Sequence, residues 1–297
     1  MKTLLIIAGP TAVGKTRIAI DVAKALGTEI ISADSRQCYR GMAIGTAQPT
    51  PEELLEVKHH FIDEFPVTQN ISAADYERLA LGYLNALFTK QDVAVLAGGT
   101  GLYIRALCEG LDEMPAVDPN VLAQVETLYE AGGVRALQDA VATEDPAFHA
   151  QGEIQNPARL IRALSFVRSA GKSILEYHKS EKKHRPFRII KTALELPRDI
   201  LYQRINTRVD AMMAAGLPDE VKALIPYRHL KNLQTVGYTE LFDFFDGHSS
   251  LHKAADLIRQ HSRNYAKRQL TWFRKDAEMK WLRADDAEVA RQIVGLL

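Results

Sequence analysis

The feature that most constrains this chain is Gly9-Pro10-Thr11-Ala12-Val13-Gly14-Lys15-Thr16, a G-x-x-x-x-G-K-[ST] loop directly behind the apolar run Leu4–Ala8. Such a loop needs a strand feeding it and a helix leaving it. Its backbone N–H groups must converge on phosphate oxygens at the positive end of that helix. Both neighbours can be read. Leu4–Ala8 is expected as a buried strand. Lys15–Leu26 is expected as a helix with Ile18, Val22, Ala25 and Leu26 on one face, stopped by Gly27. Lys15 then offers a point charge to the terminal phosphate, and Thr16 a hydroxyl for Mg²⁺. The loop by itself suits ATP or any other diphosphate.

The pattern continues downstream. Glu29–Ala33 and Asp92–Ala97 read as strands, and Gly98-Gly99-Thr100-Gly101 turns the second into another helix. Phe187–Leu194 is a later strand and Met279–Leu282 a short final one. Strands separated by helices predict the α/β class: a P-loop parallel sheet core covered by helices on both faces. Ligands in such sheets sit at the carboxyl ends of strands, which gathers Gly9–Thr16, Asp34-Ser35 and Gly98–Thr100 around one cleft. Residues 113–186 lack strand signals and read as helical, with breaks at Gly132-Gly133, Asn156-Pro157 and Gly171. The expected organisation is a core in two parts, 1–112 and 187–297, with an inserted helical domain at 113–186 and basic helices toward the C-terminus. The 297 residues suffice for this core and insertion.

Net charge is zero, yet its distribution is uneven. Glu109 to Ala150 holds nine acids and one base, Arg135, whereas Gln151 to Arg208 holds 13 bases and five acids. The second stretch includes Arg159, Arg162, Arg168, Lys172, Lys179, Lys182, Lys183, Arg185 and Arg188. It is either a solvated helix surface or a stripe for a polyanion. Arg259 to Lys275 carries six bases and no acid. There Arg259, Arg263 and Lys267 share a helical face, with Tyr265, Trp272 and Phe273 interleaved. Phe273 is expected in the core, and the bases favour a phosphodiester backbone.

An ATPase of the motor type carries an acid at the end of a neighbouring apolar strand. Val93–Ala97 ends in Gly98-Gly99-Thr100 instead, and the acid that does end a strand is Asp34. Asp34 either faces an acceptor or caps the next helix. Ser35, Arg36, Gln37 and Tyr39 beside it could read a base or a sugar. His59 and His60 are adjacent, so on a strand they diverge and cannot chelate one metal. His248 and His252 lack an acidic partner pattern for zinc. Cys38 and Cys108 belong to no C-x-x-C and read as free thiols of a reducing compartment. The apolar start breaks at Gly9-Pro10, so it reads as a strand and not a signal peptide. No apolar run is long enough to cross a membrane, and a cytoplasmic monomer is expected.

The segments GPTAVGKT, ISADSRQCYRGMAIGTAQP, HHFID, AGGTGLYIRAL, RLIRALS, LQTVGYTELFDFFDG and RNYAKRQLTWFR occur in this order. Over residues 4–275 the chain resembles the bacterial tRNA dimethylallyltransferases, also called tRNA isopentenyltransferases. The resemblance implies that the cradled phosphate is that of dimethylallyl diphosphate. The prenyl group would pass to the exocyclic amine of the adenosine just 3′ of the tRNA anticodon (adenosine 37). It further implies Asp34 as general base, Thr100 holding Asp34 or the amine, and Lys15 with the loop, Mg²⁺ at Thr16, Arg204 and Arg208 on the diphosphate. The target base would be flipped out of the anticodon arm. Asp34, Ser35, Arg36, Gln37 and Thr100 would meet it, while Arg159, Arg162, Arg263 and Lys267 meet the tRNA. Two positions depart from the family pattern. Gln48 stands where lysine is usual, and Ala158, before Arg159, where glutamine is usual; both are expected to trim polar contacts. No zinc-finger tail is expected, in contrast to eukaryotic relatives.

Other readings are a small-molecule kinase with ATP in the loop, a prenyltransferase of free adenine nucleotides, and a non-catalytic RNA-binding module. The basic stretches have no purpose in the first two. Intact Lys15, Thr16 and Asp34 argue against the third.

Overall fold

The computed structural model describes residues 1–178 and 182–297; Lys179, counted among the bases above, lies outside them. In chain order the elements are β1 (Thr3–Ala8), α1 (Lys15–Leu26), β2 (Ile30–Ser32), α2 (Pro51–Glu56), β3 (His59–His60), α3 (Ala73–Phe88), β4 (Val93–Gly98), α4 (Gly101–Glu109), α5 (Pro119–Glu144), α6 (Pro146–Gln151), α7 (Pro157–Ala170), β5 (Arg188–Glu195), α8 (Arg198–Ala214), α9 (Leu217–Ala223), α10 (Thr239–Phe245), α11 (Leu251–Phe273), β6 (Lys280–Arg283) and α12 (Val289–Val294). They belong to two units, Met1–Glu109 with His184–Leu297, and Gly110–Lys183.

The first unit is the α/β core that the sequence predicts. Its six strands run in the order β3-β2-β4-β1-β5-β6, and every pairing is parallel. β1 lies between β4 and β5, with Ala8 opposite both Gly98 and Ala193. A central parallel strand has helices on both faces, so it must be apolar throughout. Accordingly Leu4, Leu5, Ile6 and Ile7 are fully buried, each contributing about 1.5–3 kcal/mol of transfer free energy. Successive side chains enter opposite cores. Leu4, Ile6 and Ala8 pack with Phe61, Tyr76 and Tyr103, while Leu5 and Ile7 pack with Ile18, Val22 and Ile205.

β2 is shorter than the expected Glu29–Ala33. Ala33 has left the strand geometry to bond the neighbouring strand end: its N–H donates to Ala97 O (2.7 Å), and its carbonyl accepts from Thr100 N (3.0 Å). α1 has the expected bounds, and Gly27 in the left-handed region (φ 61°) receives its last turn.

The second unit, Gly110–Lys183, is helical around Val125, Leu137, Val141, Leu160 and Leu164. The breaks read from sequence are present. α5 kinks at Gly133 (φ 64°), Asn156 Oδ1 caps α7 by accepting from Ala158 N (3.1 Å), and Gly171 ends that helix. Among the described residues no helix is long and apolar enough to cross a membrane.

Candidate active site

The carboxyl ends of β1, β2 and β4 bring Gly9–Thr16, Asp34 and Thr100 to one edge of the sheet, because all strands run the same way. A cleft of about 400 Å³ lies there, lined by Lys15, Thr16, Asp34, Arg204, Arg208 and Gln269 among others.

The loop leaves β1 at Gly9 and enters α1 at Lys15. It is tied at several points. Lys15 Nζ donates to Pro10 O (2.7 Å), Arg204 Nη1 to Val13 O (3.2 Å), and Arg208 Nη2 to Thr11 Oγ1 (2.5 Å). The Thr11 N–H donates to Gln269 Oε1 (2.8 Å). Arg208 Nε is buried without a hydrogen-bond partner. A shielded donor without an acceptor is costly, so this guanidinium keeps an unmet hydrogen-bonding capacity in the cleft. Burial lowers the Lys15 ammonium to about 8; Asp34 opposes that shift and Arg208 adds to it. Burial also lowers Arg208, against the attraction of Asp34. Lys15, Arg208 and Asp34 thus act on one another within the cleft.

Asp34 begins a turn and not a helix: residues 35–38 are turn, so the helix-cap alternative gives way to a turn cap. Oδ1 accepts from Arg36 N (2.9 Å) and Gln37 N (3.3 Å), whereas Oδ2 takes no hydrogen bond from a described residue. One oxygen therefore fixes the turn and leaves the other for chemistry. Thr100 Oγ1 accepts from Ser35 N (3.0 Å) and approaches Ser35 Oγ (3.3 Å), so Thr100 holds the backbone that carries Asp34.

Gly98 permits this meeting. A Cβ there would lie 2.3 Å from Ala33 O and 2.4 Å from Ala33 C, both rigid backbone. Gly98→Ala is expected to lower stability by about 3 kcal/mol, the upper end for overpacking, and to displace Asp34. Thermal denaturation checks it; an unchanged melting temperature refutes the close approach.

A second cavity of about 360 Å³ adjoins the first and shares Thr11, Asp34, Thr46, Arg208 and Tyr265 with it. Its other walls include Arg36, Gly237, Glu240 and His261. Glu240 is 3% exposed. It accepts from Gly237 N (2.7 Å) and Thr239 Oγ1 (3.1 Å), and holds His261 Nδ1 at 2.6 Å, which fixes the 235–240 turn against α11. Burial, then Asp34, pushes the Tyr265 hydroxyl up to about 12, so it stays protonated at neutral pH.

Several residues sit differently from expectation. The Gln37 amide donates to Ala47 O (2.8 Å) and Thr46 O (3.2 Å), so in this structure its side chain holds a loop. At Gln48, where loss of contacts was expected, Nε2 donates to Gln37 O (2.8 Å) and Tyr39 O (3.2 Å), so the position keeps polar contacts with this turn. Ala158 is exposed at the start of α7, and Ser35 and Arg36 flank the cleft turn. Much of the basic surplus is consumed internally. Arg168 pairs with Glu144, Arg185 with Glu77, Lys191 with Asp276 and Glu278, and Arg259 with Asp210 and Asp256. Arg188 donates to the carbonyls of Leu296 and Leu297. Arg263 bonds Asn206 Oδ1 (2.7 Å), and Lys267 is exposed on α11 beside Arg268, Trp272 and Lys275. In the helical unit Arg159 makes an exposed pair with Glu153 (2.9 Å), and Arg162 meets Met114 Sδ at 3.5 Å. Phe273 is core, as expected. His59 and His60 diverge on β3, toward Val57 O and Glu29 respectively.

A parallel α/β sheet with a G-x-x-x-x-G-K-T loop at the end of β1, arginines lining the adjoining cleft and a carboxylate behind β2 is an arrangement suited to group transfer. Residues 37–276 match the family described as IPP transferase. The chain is 43% identical over 281 residues to tRNA dimethylallyltransferase 1 of Bacteroides thetaiotaomicron, covering 95% of this chain and 91% of that one. The crystal structure of the full-length tRNA isopentenylpyrophosphate transferase of Bacillus halodurans is similar with a TM-score of 0.72 at 38% identity, over 99% of this chain and 94% of that one. A eukaryotic dimethylallyltransferase acting on tRNA shares the fold with a TM-score of 0.81 at 21% identity, over 100% of this chain and 77% of that one. The chain belongs to the IPP transferase family.

Proposed function

We propose that this enzyme transfers the dimethylallyl group of dimethylallyl diphosphate to the exocyclic amine of the adenosine 3′ of a tRNA anticodon, releasing diphosphate. The observation that carries this reading is the pair of adjoining cavities that share Thr11, Asp34, Arg208 and Tyr265. One cavity is walled by the anion-binding loop and suits the donor. The other is walled by Arg36 and the 235–240 turn and suits an extruded base. The reacting atoms would meet at the shared residues. The names of the relatives agree with this substrate pair.

In this reading a new N–C bond forms at the adenine amine as the allylic C–O bond to diphosphate breaks. The amine is a poor nucleophile because its lone pair is delocalised into the ring. Asp34 Oδ2 takes its proton as the bond forms. Charge develops on the leaving diphosphate, and the loop N–H groups, Lys15, Arg204 and Arg208 stabilise it. Thr100 keeps the Asp34 turn in place, and the protonated Tyr265 hydroxyl offers a donor beside it. The donor set fits a metal held jointly with phosphate. Thr16 and Asp34 line the cleft, while no cluster of three His, Cys, Asp or Glu occurs among the described residues to form a full cage. Thr16 would hold Mg²⁺ together with the diphosphate, where it would supply charge neutralisation.

The test is mass spectrometry of tRNA nucleosides after incubation with dimethylallyl diphosphate, beside an ATP control. Prenylated adenosine is expected only with the prenyl donor. Modification of free adenine nucleotides in place of tRNA would overturn the acceptor assignment.

The exposed Arg159 pair is worth little, so this arginine is free to exchange its partner for a phosphate. Arg159→Glu with Arg162→Glu is expected to weaken tRNA binding and reduce the slope of log K against log salt by roughly 1–2 counterions. Dimethylallyl diphosphate binding should hold. Filter binding across a salt series decides, and an unchanged slope returns both residues to ordinary solvated surface.

A further inference from the structure

We propose that Gln269 on α11 is a positioning residue for prenyl transfer: it clamps the phosphate loop to the turn that carries Thr100, and so sets the spacing between leaving diphosphate and the Asp34 carboxylate. The inference rests on the transferase reading above.

The clamp is a continuous series of bonds. Gln269 Oε1 accepts from Thr11 N (2.8 Å), and Gln269 Nε2 donates to Gly99 O (2.9 Å). Thr100, next in sequence, donates its N–H to Ala33 O (3.0 Å) and accepts at Oγ1 from Ser35 N (3.0 Å). Those contacts flank Asp34 on both sides. A single side chain thus joins the loop at the end of β1 to the turn at the end of β4, and through it to the end of β2. Gln269 is 6% exposed, so water does not compete for either bond. The amide is also in direct contact with the turn, since a Cβ on Gly99 would lie 2.2 Å from Nε2.

The chemistry requires an amide. One end must accept and the other must donate, at every pH, in a fixed orientation. A carboxylate can only accept, and would set a negative oxygen against the Gly99 carbonyl. A protonated carboxylic acid restores one donor and one acceptor. Gln269→Glu is therefore expected to work as its carboxyl gains a proton and to fail as it loses it. The ionisable groups lining the same cleft are Lys15 and Arg17 on α1, Asp34, Glu53 on α2, His59 on β3, Arg204 and Arg208 on α8, and Tyr265 on α11. They are common to wild type and variant, so the ratio of the two rates isolates position 269.

The experiment measures single-turnover transfer at saturating tRNA and dimethylallyl diphosphate for the wild type, Gln269→Leu and Gln269→Glu. It spans about pH 5 to 8, where carboxyl groups shielded from water titrate. Gln269→Leu is expected to lose about 10²-fold in rate, the scale of a 1 Å misplacement, with dissociation constants for both substrates unchanged. The ratio of Gln269→Glu to wild type is expected to climb as pH falls. A ratio that stays flat with pH, high or low, overturns the clamp. So does a Gln269→Leu loss that lies wholly in substrate affinity, or a Leu variant at the wild-type rate. A wild type that transfers no prenyl group refutes the transferase reading itself, and the clamp with it.

Discussion

Asp34→Asn is expected to fold normally, bind both substrates, and lose roughly 10²–10⁴-fold in the single-turnover transfer rate, the range for positioned acid–base catalysis. The two carboxylate oxygens have separate duties. Oδ1 accepts from the N–H groups of Arg36 and Gln37, and an asparagine Oδ1 accepts them equally well. The turn therefore survives, and with it the Thr100–Ser35 contact. What asparagine removes is a basic oxygen at the second position. A turn-cap role alone predicts near-wild-type activity. A Mg²⁺-ligand role predicts a defect partly repaired by excess Mg²⁺. Transfer rates across a Mg²⁺ series separate the three, and a near-wild-type rate at ordinary Mg²⁺ removes the general-base assignment.

Lys15→Ala is expected to cost roughly 10²–10³-fold in transfer, the scale for losing one preorganised donor to a developing anion. tRNA should still bind, because Lys15 lines the cavity proposed for the donor and not the one proposed for the base. Lys15 also predicts a pH dependence. Burial lowers its ammonium to about 8, so in the free enzyme the charged form dominates below that pH and is lost above it. The diphosphate needs the charged form. Its affinity should thus be full below about pH 8 and fall as pH rises through that value. The same depression has a stability sign. The unfolded chain holds this proton more tightly than the folded one, so the penalty is present below about 8 and relieved as pH rises toward the unfolded value near 10.5. Titration of diphosphate binding by calorimetry in wild type and Lys15→Ala checks both parts. A wild-type affinity flat through pH 8, or turnover by the variant equal to wild type, would remove the role.

Local patterns made the strand ends readable. The loop, Asp34 and Gly98–Thr100 each follow an apolar run that can only be a buried strand, and parallel strands deliver their ends to one edge. Arg204 and Arg208 entered through family resemblance, since i, i+4 arginines on a helix look like any surface pair. Gln269 carried no local signal at all. Its partner Thr11 lies 258 residues away, and a glutamine within a basic helix resembles a solvated one. Tyr265 reads in the sequence only as one of the aromatics interleaved among the bases. The charge count overstated the basic surface because the acids that neutralise Arg185 and Lys191 are distant in sequence, and those that neutralise Arg259 are Asp210, also distant, and Asp256, just outside the stretch counted. Arithmetic on a segment cannot see them.

The position of β1 between β4 and β5 bears on how the chain is made. β4 ends at Gly98 and β5 begins at Arg188, with the whole helical unit encoded between. During synthesis the most apolar strand has one edge paired and the other open until β5 emerges, an interval on the order of ten seconds at ordinary ribosomal rates. An open apolar edge is a template for mispairing with another chain. The residues that complete the cleft wall, Arg204, Arg208 and Gln269, come later still. The loop is thus made first and the far wall of its cleft last, and translation of the insertion sets how long the core strand waits for its second neighbour.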